Sequence, residues 1–172
     1  CGPVPTPGWL NVDGVAAEAD LIQVFGRPLD LPDGCAAMVF CEHVLEHVDY
    51  PDVARSLVAD VYRVLRPGGV LRLIVPDAER AMRAYADNDT DLLTQLAPSE
   101  KTPIEVVNKI FREGGFHRFA WDYTLLAAEL RLAGFAEVRR AAFRDSTVAE
   151  LNIDLDEPGR IAQSLYAEAI KR

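Results

Sequence analysis

Four short apolar runs in the first half of the chain predict the strands of a buried sheet. They cover residues 9–13 (WLNVD), 21–25 (LIQVF), 36–41 (AAMVFC) and 70–75 (VLRLIV). Glycine, proline or aspartate follows most of these runs, as is usual where strands end. Residues 52–65 instead repeat apolar side chains every three or four positions, which predicts an amphipathic helix ended by the Arg-Pro-Gly-Gly of residues 66–69. A strand, a helix and a further strand in this order predict a parallel sheet.

The second half alternates helices with two further strands. We predict helices over residues 78–86, 102–113 and 122–133, with a polar break at 87–91. Thr102 and Glu105 have capping-box spacing with Pro103 between them, and Asp122 can cap the third of these helices. Residues 136–143 and 165–170 predict the last strands, on either side of an acidic loop. The expected fold is α/β, a doubly wound and mostly parallel sheet whose last strand is antiparallel.

Length, charge and cysteines narrow the class of protein. A chain of 172 residues is long enough for one domain, and we assign residues 1–172 to a single domain. The net charge of −9 argues against binding to nucleic acid or to an anionic membrane. No apolar stretch is long enough to cross a bilayer and the first residues lack a signal-peptide core, so we expect a cytoplasmic protein. Cys1, Cys35 and Cys41 form no disulfide pattern, which favours reduced thiols.

The third strand runs directly into a polar segment, Glu42-His43-Val44-Leu45-Glu46-His47. Open α/β sheets place their sites at the carboxyl ends of strands. The segment also matches the H-x-x-E-H pattern of inverted zinc proteases, which requires both histidines on a sustained helix and a third ligand. Pro51 follows too soon for such a helix, so we predict a turn and no metal site. The alternative without chemistry is that both histidines are loop side chains bonded to backbone.

Three more positions have both a functional and a structural interpretation. Asp13 follows the first strand, where a carboxylate can accept hydrogen bonds from a ribose, but an aspartate before glycine is also common in turns. His117 follows Gly-Gly and could accept a proton from a substrate, or could bond Asp122 or the backbone. Arg160 could hold a substrate carboxylate, although we expect an ion pair with Asp156 or Glu157.

Taken in order, these segments resemble a known family. CGPVPTPGWLNVD, LDLPDGCAAMVFCEHVLEHV and YRVLRPGGVLRLIVPD are similar to class I S-adenosylmethionine-dependent methyltransferases. More narrowly, the chain resembles bacterial methyltransferase-domain proteins that carry an EHVLEH-type segment, and GGFHRFAWDYTLLAAELRLAGFAEV and SLYAEAIK fit their carboxyl halves. The resemblance covers nearly the whole chain and implies a Rossmann-like sheet.

The resemblance also implies a set of residues that bind S-adenosylmethionine. They are Cys1, Gly2, Asp13, Leu29, Leu31, Cys41, Glu42 and His43. The first two would end the family's glycine-rich loop, and Asp13 would hold the ribose. Leu29 and Leu31 would lie near the adenine, while the residues from 41 to 43 would line the methionine and ribose side. The family's first strand is missing from this sequence, so we expect the domain to be truncated at its amino end.

The predicted function is transfer of a methyl group from S-adenosylmethionine to a small-molecule or saccharide-like acceptor. The reaction would depend on alignment, with His43, His47 or His117 as a base. A small-molecule substrate is the expected partner, and a homodimer is left open. The alternative is an inactive methyltransferase-like binding or scaffold module, favoured by the missing glycine-rich loop and by Phe25 where the family usually has an acid. A zinc hydrolase is a third hypothesis, based on HVLEH.

Overall fold

The structure is a computed structural model that describes residues 5–15 and 18–172. Cys1 and Gly2, predicted to touch the cofactor, lie outside the described residues. The strands are β1 (Val12–Asp13), β2 (Leu21–Ile22), β3 (Ala36–Glu42), β4 (Leu65–Pro76), β5 (Glu137–Ala141) and β6 (Ser164–Ile170). The helices are α1 (Asp52–Val64), α2 (Ala78–Ala86), α3 (Thr90–Leu96), α4 (Pro103–Arg112), α5 (Tyr123–Leu132) and α6 (Pro158–Gln163).

The main sheet has the strand order β3-β4-β6-β5. β3 pairs with β4 in parallel, while β6 is antiparallel to both β4 and β5. β3, β4 and β5 therefore run in one direction and β6 alone is reversed, which confirms the predicted mostly parallel sheet with an antiparallel last strand. β1 and β2 form a separate parallel pair, in which Val12 lies opposite Leu21.

The core lies between the main sheet and helices α1 and α5. α1 buries Leu57, Val58 and Val61, the apolar face that its three- and four-residue spacing predicts. β4 carries the deepest part of the core, where Ile74 and Val75 are fully buried. Successive side chains of a strand point to opposite faces, so the burial of both Ile74 and Val75 shows that both faces of the sheet are covered at β4.

The helices of the second half begin where the capping signals predict. Thr102 forms a capping box with Glu105 before α4, and Asp122 Oδ1 accepts a hydrogen bond of 2.8 Å from Leu125 N at the start of α5. α2, α3 and α4 bury a second apolar cluster that includes Ala81 and Ile110. Local side-chain chemistry therefore determines where these helices start.

Several predicted boundaries are wrong. β4 begins at Leu65 rather than Val70 and continues through the Arg-Pro-Gly-Gly segment, where a Cβ on Gly69 would lie 2.8 Å from the carbonyl oxygen of Arg66. Glycine at this position therefore lets two backbone segments approach closely. The polar break predicted at 87–91 contains the start of α3, since Asp89 Oδ1 caps it through Leu92 N. Among the described residues, no helix is long and apolar enough to cross a membrane.

Candidate functional site

The site is built on the carboxyl end of β3. Glu42 is the last residue paired with β4, and the amide of His43 still donates a hydrogen bond of 2.9 Å to the carbonyl of Ile74. His43 then takes φ +49°, a left-handed conformation that histidine adopts more often than most residues. The chain turns there into a short 3-10 turn, Leu45–His47. The predicted turn is therefore confirmed, and no sustained helix carries His43 and His47.

Glu42 projects toward the segment that precedes β6. Its Oε1 lies 3.5 Å from Arg160 Nε, and its Oε2 accepts a long hydrogen bond of 3.4 Å from Leu155 N. The expected pairing of Arg160 with Asp156 or Glu157 is thus wrong, because Arg160 pairs with the carboxylate of Glu42 at the end of β3. Asp156 instead pairs with Arg144 at 3.1 Å.

His43 is held between two side chains. Its Nε2 lies 2.9 Å from Ser164 Oγ, and that hydroxyl already donates to the carbonyl of Arg160 at 2.7 Å. The hydrogen in the histidine–serine contact therefore belongs to His43 Nε2. On the other side of the ring, Nδ1 lies 3.1 Å from Glu46 Oε1, and the side chain is only 5% exposed.

Glu46 is the centre of the site. Its side chain is 1% exposed, and in the described part of the chain neither carboxylate oxygen has a hydrogen-bond partner. Its backbone carbonyl accepts hydrogen bonds from Arg118 N at 2.7 Å and Phe119 N at 3.2 Å. These two bonds fasten the segment after α4 to the 3-10 turn and so bring His117 next to Glu46.

His47 and His117 face each other with ring centroids 5.0 Å apart. The Nδ1 of His47 lies 3.1 Å from the carbonyl of Phe116, and the Nδ1 of His117 lies 2.7 Å from the carbonyl of Ile110. A carbonyl only accepts, so each Nδ1 carries hydrogen, and Nε2 is the nitrogen of each ring that remains for another contact. The alternative prediction, a loop histidine bonded to the backbone, therefore holds for the Nδ1 atoms of His47 and His117 and not for their Nε2 atoms.

Glu113 borders His117 from the end of α4. Its Oε2 lies 2.8 Å from His117 Nε2, and its Oε1 accepts a hydrogen bond of 2.9 Å from Lys109 Nζ. Burial alone would raise the pKa of Glu113, but the Lys109 hydrogen bond and nearby positive charges lower it below its usual range. The chain has three histidines, and the structure gathers all of them near Glu46 and Glu113.

A cleft of about 580 Å³ opens beside this cluster, at the carboxyl ends of β4 and β5 and the start of β6. Ser164, the hydrogen-bond partner of His43, lines it together with Tyr166. Asp77 also lines the cleft and is 2% exposed; its side chain caps α2 and accepts a hydrogen bond of 2.8 Å from Arg140. Sequence reasoning missed Asp77 as a site residue, although an acid directly after a buried strand was a usable signal.

Cys41, predicted to line the cofactor side, is a partly buried thiol near the end of β3. Burial raises its pKa to about 12, and the negative charge of Glu46 adds to the effect. The thiol is therefore neutral at physiological pH. A neutral thiol is a poor nucleophile and a poor metal ligand.

Asp13 lies at the carboxyl end of β1, in the smaller sheet. Its Oδ1 accepts a hydrogen bond of 2.9 Å from Val15 N, which is the turn geometry expected of an aspartate before glycine. Its backbone carbonyl accepts a hydrogen bond of 2.8 Å from Gln23 N, just after β2. The carboxylate is half-buried and stands at the strand end where a nucleotide ribose would be expected.

The loop that carries Leu29 and Leu31 is fixed to α1. Leu29 N donates to the carboxylate of Asp60, while Arg63 donates to the carbonyls of Leu29 at 2.9 Å and Leu31 at 2.7 Å. Arg63 is itself paired with Asp60 at 2.6 Å. The loop therefore has a defined backbone, with both leucines half-buried.

Comparison with protein families gives one match. Residues 10–73 match the family model described as a methyltransferase domain. This range contains β1, β2, β3 and most of β4, together with the turn that carries His43 and His47. No curated protein matches the sequence significantly.

One solved methyltransferase structure with a TM-score above 0.5 shares the fold of this chain at low sequence identity. A SAM-dependent methyltransferase from Thermotoga maritima, described as a possible histamine N-methyltransferase, matches with a TM-score of 0.51 and 19% identity, covering 88% of this chain and 63% of that one. A SAM-dependent methyltransferase from Archaeoglobus fulgidus matches with a TM-score of 0.48 and 17% identity, covering 82% of this chain and 62% of that one. The chain thus spans under two thirds of the length of these two structures.

Proposed function

We propose that this chain, which has the fold of class I S-adenosylmethionine-dependent methyltransferases and their domain signature over residues 10–73, transfers a methyl group from that cofactor to a small-molecule acceptor. The observation that carries the proposal is the coincidence of the family match with the polar turn after β3. A strand end that presents Glu42 and His43 beside an open cleft is where such folds bind ligands.

The residues that the family resemblance assigns to the cofactor have side chains of a suitable chemical type. Asp13 offers a carboxylate to the two ribose hydroxyls, and Glu42 offers a second carboxylate at the end of β3. The half-buried Leu29 and Leu31 suit the apolar face of an adenine, and the family resemblance assigns His43 to the methionine side. When bound, S-adenosylmethionine supplies an electrophilic methyl group on a sulfonium. In-line alignment with the acceptor is the main requirement of the transfer.

The acceptor is proposed to bind in the cleft beside Ser164. The protein offers a base there, since His43 contacts Ser164 Oγ through Nε2 and faces Glu46 through Nδ1. To act as the base, His43 would hold its hydrogen on Nδ1 against Glu46, which leaves Nε2 to accept a proton from an acceptor hydroxyl or amine by way of Ser164. His47 and His117 are the other predicted bases. Small molecules are favoured over nucleic acid because the net charge is −9.

Calorimetry with S-adenosylhomocysteine tests the cofactor assignment. Removing a hydrogen bond to a charged group costs about 1.5–3 kcal/mol, so Asp13→Asn should weaken binding by about 10- to 100-fold. Asp91→Asn, an exposed aspartate in the first turn of α3, is the matched control and should bind like the parent. Absence of binding by the folded parent protein would refute the proposal.

The second candidate function is an inactive methyltransferase-like binding module. One observation favours it: Phe25, just after β2, packs against the main core cluster where the resemblance expects a cofactor-binding acid. A folded protein that fails to bind S-adenosylhomocysteine would support this candidate. Binding without methyl transfer to a panel of small amines, hydroxy acids and saccharides would also favour it.

A further inference from the structure

The cluster around Glu46 contains buried polar atoms with no hydrogen-bond partner. Within the described residues these atoms include both carboxylate oxygens of Glu46 and the Nε2 of His117. Glu46 is 1% exposed and His117 is 7% exposed. His43 Nδ1 lies 3.1 Å from Glu46 Oε1 without forming a hydrogen bond, so the burial of this carboxylate is costly unless a proton or a cation compensates its charge.

The two histidines beside Glu46 are oriented like metal ligands. Both donate Nδ1–H to a backbone carbonyl, which fixes the ring and leaves Nε2 as the ligand atom. At His117 the ion would take the place of the Glu113 contact, and any hydrogen on Nε2 would be released on binding. The Nε2 of His47 lies 3.8 Å from Glu46 Oε1. One ligand atom each from Glu46, His47 and His117 can be chosen so that all lie within 4.8 Å of one another.

We propose that Glu46, His47 and His117 bind a divalent transition metal, for which Zn²⁺ is the best match. Two imidazole nitrogens and one carboxylate are a usual zinc ligand set. Tetrahedral zinc with bonds of about 2.0–2.1 Å places its ligand atoms about 3.3 Å apart, so the three side chains must close by roughly 1 Å or more. His47 can make this movement, because its side chain is 39% exposed on a short turn. That exposure also gives the ion a path of entry.

Glu113 and His43 flank the proposed site in different ways. Glu113 Oε2 lies 2.8 Å from His117 Nε2 and could become a fourth ligand, although Lys109 holds its other oxygen. His43 Nδ1 lies 3.1 Å from Glu46 and is a positioning residue behind the ligand carboxylate. The bound ion would connect the turn after β3 to the segment after α4. The inference does not depend on methyl transfer.

Metal analysis of the purified chain tests the proposal. After chelation, dialysis against Zn²⁺ should load about one ion per chain, and Co²⁺ should give the visible absorption of a tetrahedral site. Outer ligand partners typically account for about 10–100-fold in affinity, so His117→Gln and Glu46→Gln should weaken Zn²⁺ binding by at least about 100-fold. Glu150→Gln, an exposed glutamate, is the control and should bind like the parent.

The variant His43→Gln distinguishes the proposed metal site from a site formed by the H-x-x-E-H pattern. The pattern uses His43 and His47 as ligands, whereas the structure pairs His47 with His117. His43→Gln should therefore keep the metal stoichiometry, and His47→Gln, at an exposed position, should lose the Co²⁺ absorption while remaining folded. The proposal is overturned if the folded parent binds no metal saturably. It is equally overturned if His43→Gln loses the metal while His117→Gln keeps it.

Discussion

Arg72 and Asp154 form an ion pair in the middle of the fold, with side chains 0% and 1% exposed. Arg72 lies in the centre of β4, and its Nε donates to Asp154 Oδ1 at 2.6 Å. Its Nη2 donates to Asp154 Oδ2 and, at 2.8 Å, to the carbonyl of Ala142. The guanidinium also lies 5.3 Å from the ring of Tyr166, which lines the cleft. The pair therefore fastens the segment after β5 to the sheet beside the proposed acceptor site.

Asp154→Asn should destabilise the protein strongly. The substitution leaves the guanidinium of Arg72 buried without its counter-charge, and breaking a buried pair in this way costs about 3–5 kcal/mol. The double variant Arg72→Met/Asp154→Leu removes both charges and should recover most of that loss, since apolar replacements of buried pairs are often neutral. Urea unfolding followed by circular dichroism gives the free energies of all three proteins.

Glu137→Gln is the matched control for Asp154→Asn. Glu137 pairs with Arg172 at 2.7 Å, but these side chains are 54% and 74% exposed. Exposed pairs contribute about 0–1 kcal/mol, so this variant should unfold close to the parent. The reasoning fails if Asp154→Asn costs no more than Glu137→Gln, or if the double variant is less stable than Asp154→Asn.

Two further predictions follow from titrating groups. Cys35 is exposed and should react rapidly with a thiol reagent near pH 8. The raised pKa of Cys41 should keep its thiol unreactive until the protein unfolds. Equal reaction rates of the two thiols in the folded protein would contradict this prediction. Burial would raise the pKa of Glu168, but hydrogen bonds from Ser146 and Thr147 lower it. Ionised Glu168 therefore stabilises the fold at pH values above its unfolded pKa of about 4.3. This stabilisation is lost as the pH falls through the lower pKa of the folded state. Thermal unfolding of Glu168→Gln should therefore depend less on pH in the acid range.

Periodicity and capping chemistry predict most of the fold because they are local. α1 follows from the spacing of its apolar residues, and Asp122 and Thr102 fix the starts of α5 and α4. The start of β4 could not be predicted in this way. Leu65 pairs with Ala36 and the register then shifts before Met38, so the extra residues of β4 depend on a partner strand.

The sequence indicates most residues of the candidate site, but it does not indicate which of them lie close together. A polar turn after a buried strand indicates Glu42, His43, Glu46 and His47 without any structure. The position of His117 depends on the amides of Arg118 and Phe119, which bond the carbonyl of Glu46 about seventy residues away in sequence. No local pattern of the sequence predicts a contact between segments so far apart. The H-x-x-E-H spacing therefore suggested a metal pair within the turn, while the structure sets His47 against a histidine from another segment.

The two carboxylates of the turn after β3 have different neighbours. Glu42 faces Arg160 and the segment before β6, whereas Glu46 lies buried between His43 and His47. A buried carboxylate without hydrogen bonds must be neutralised by a proton, by a histidine cation or by a metal ion. These three cases differ in what they predict for zinc, since only the last gives saturable binding that requires His117. The proposed cofactor site at Glu42 and the proposed metal site at Glu46 can therefore be tested independently in one protein.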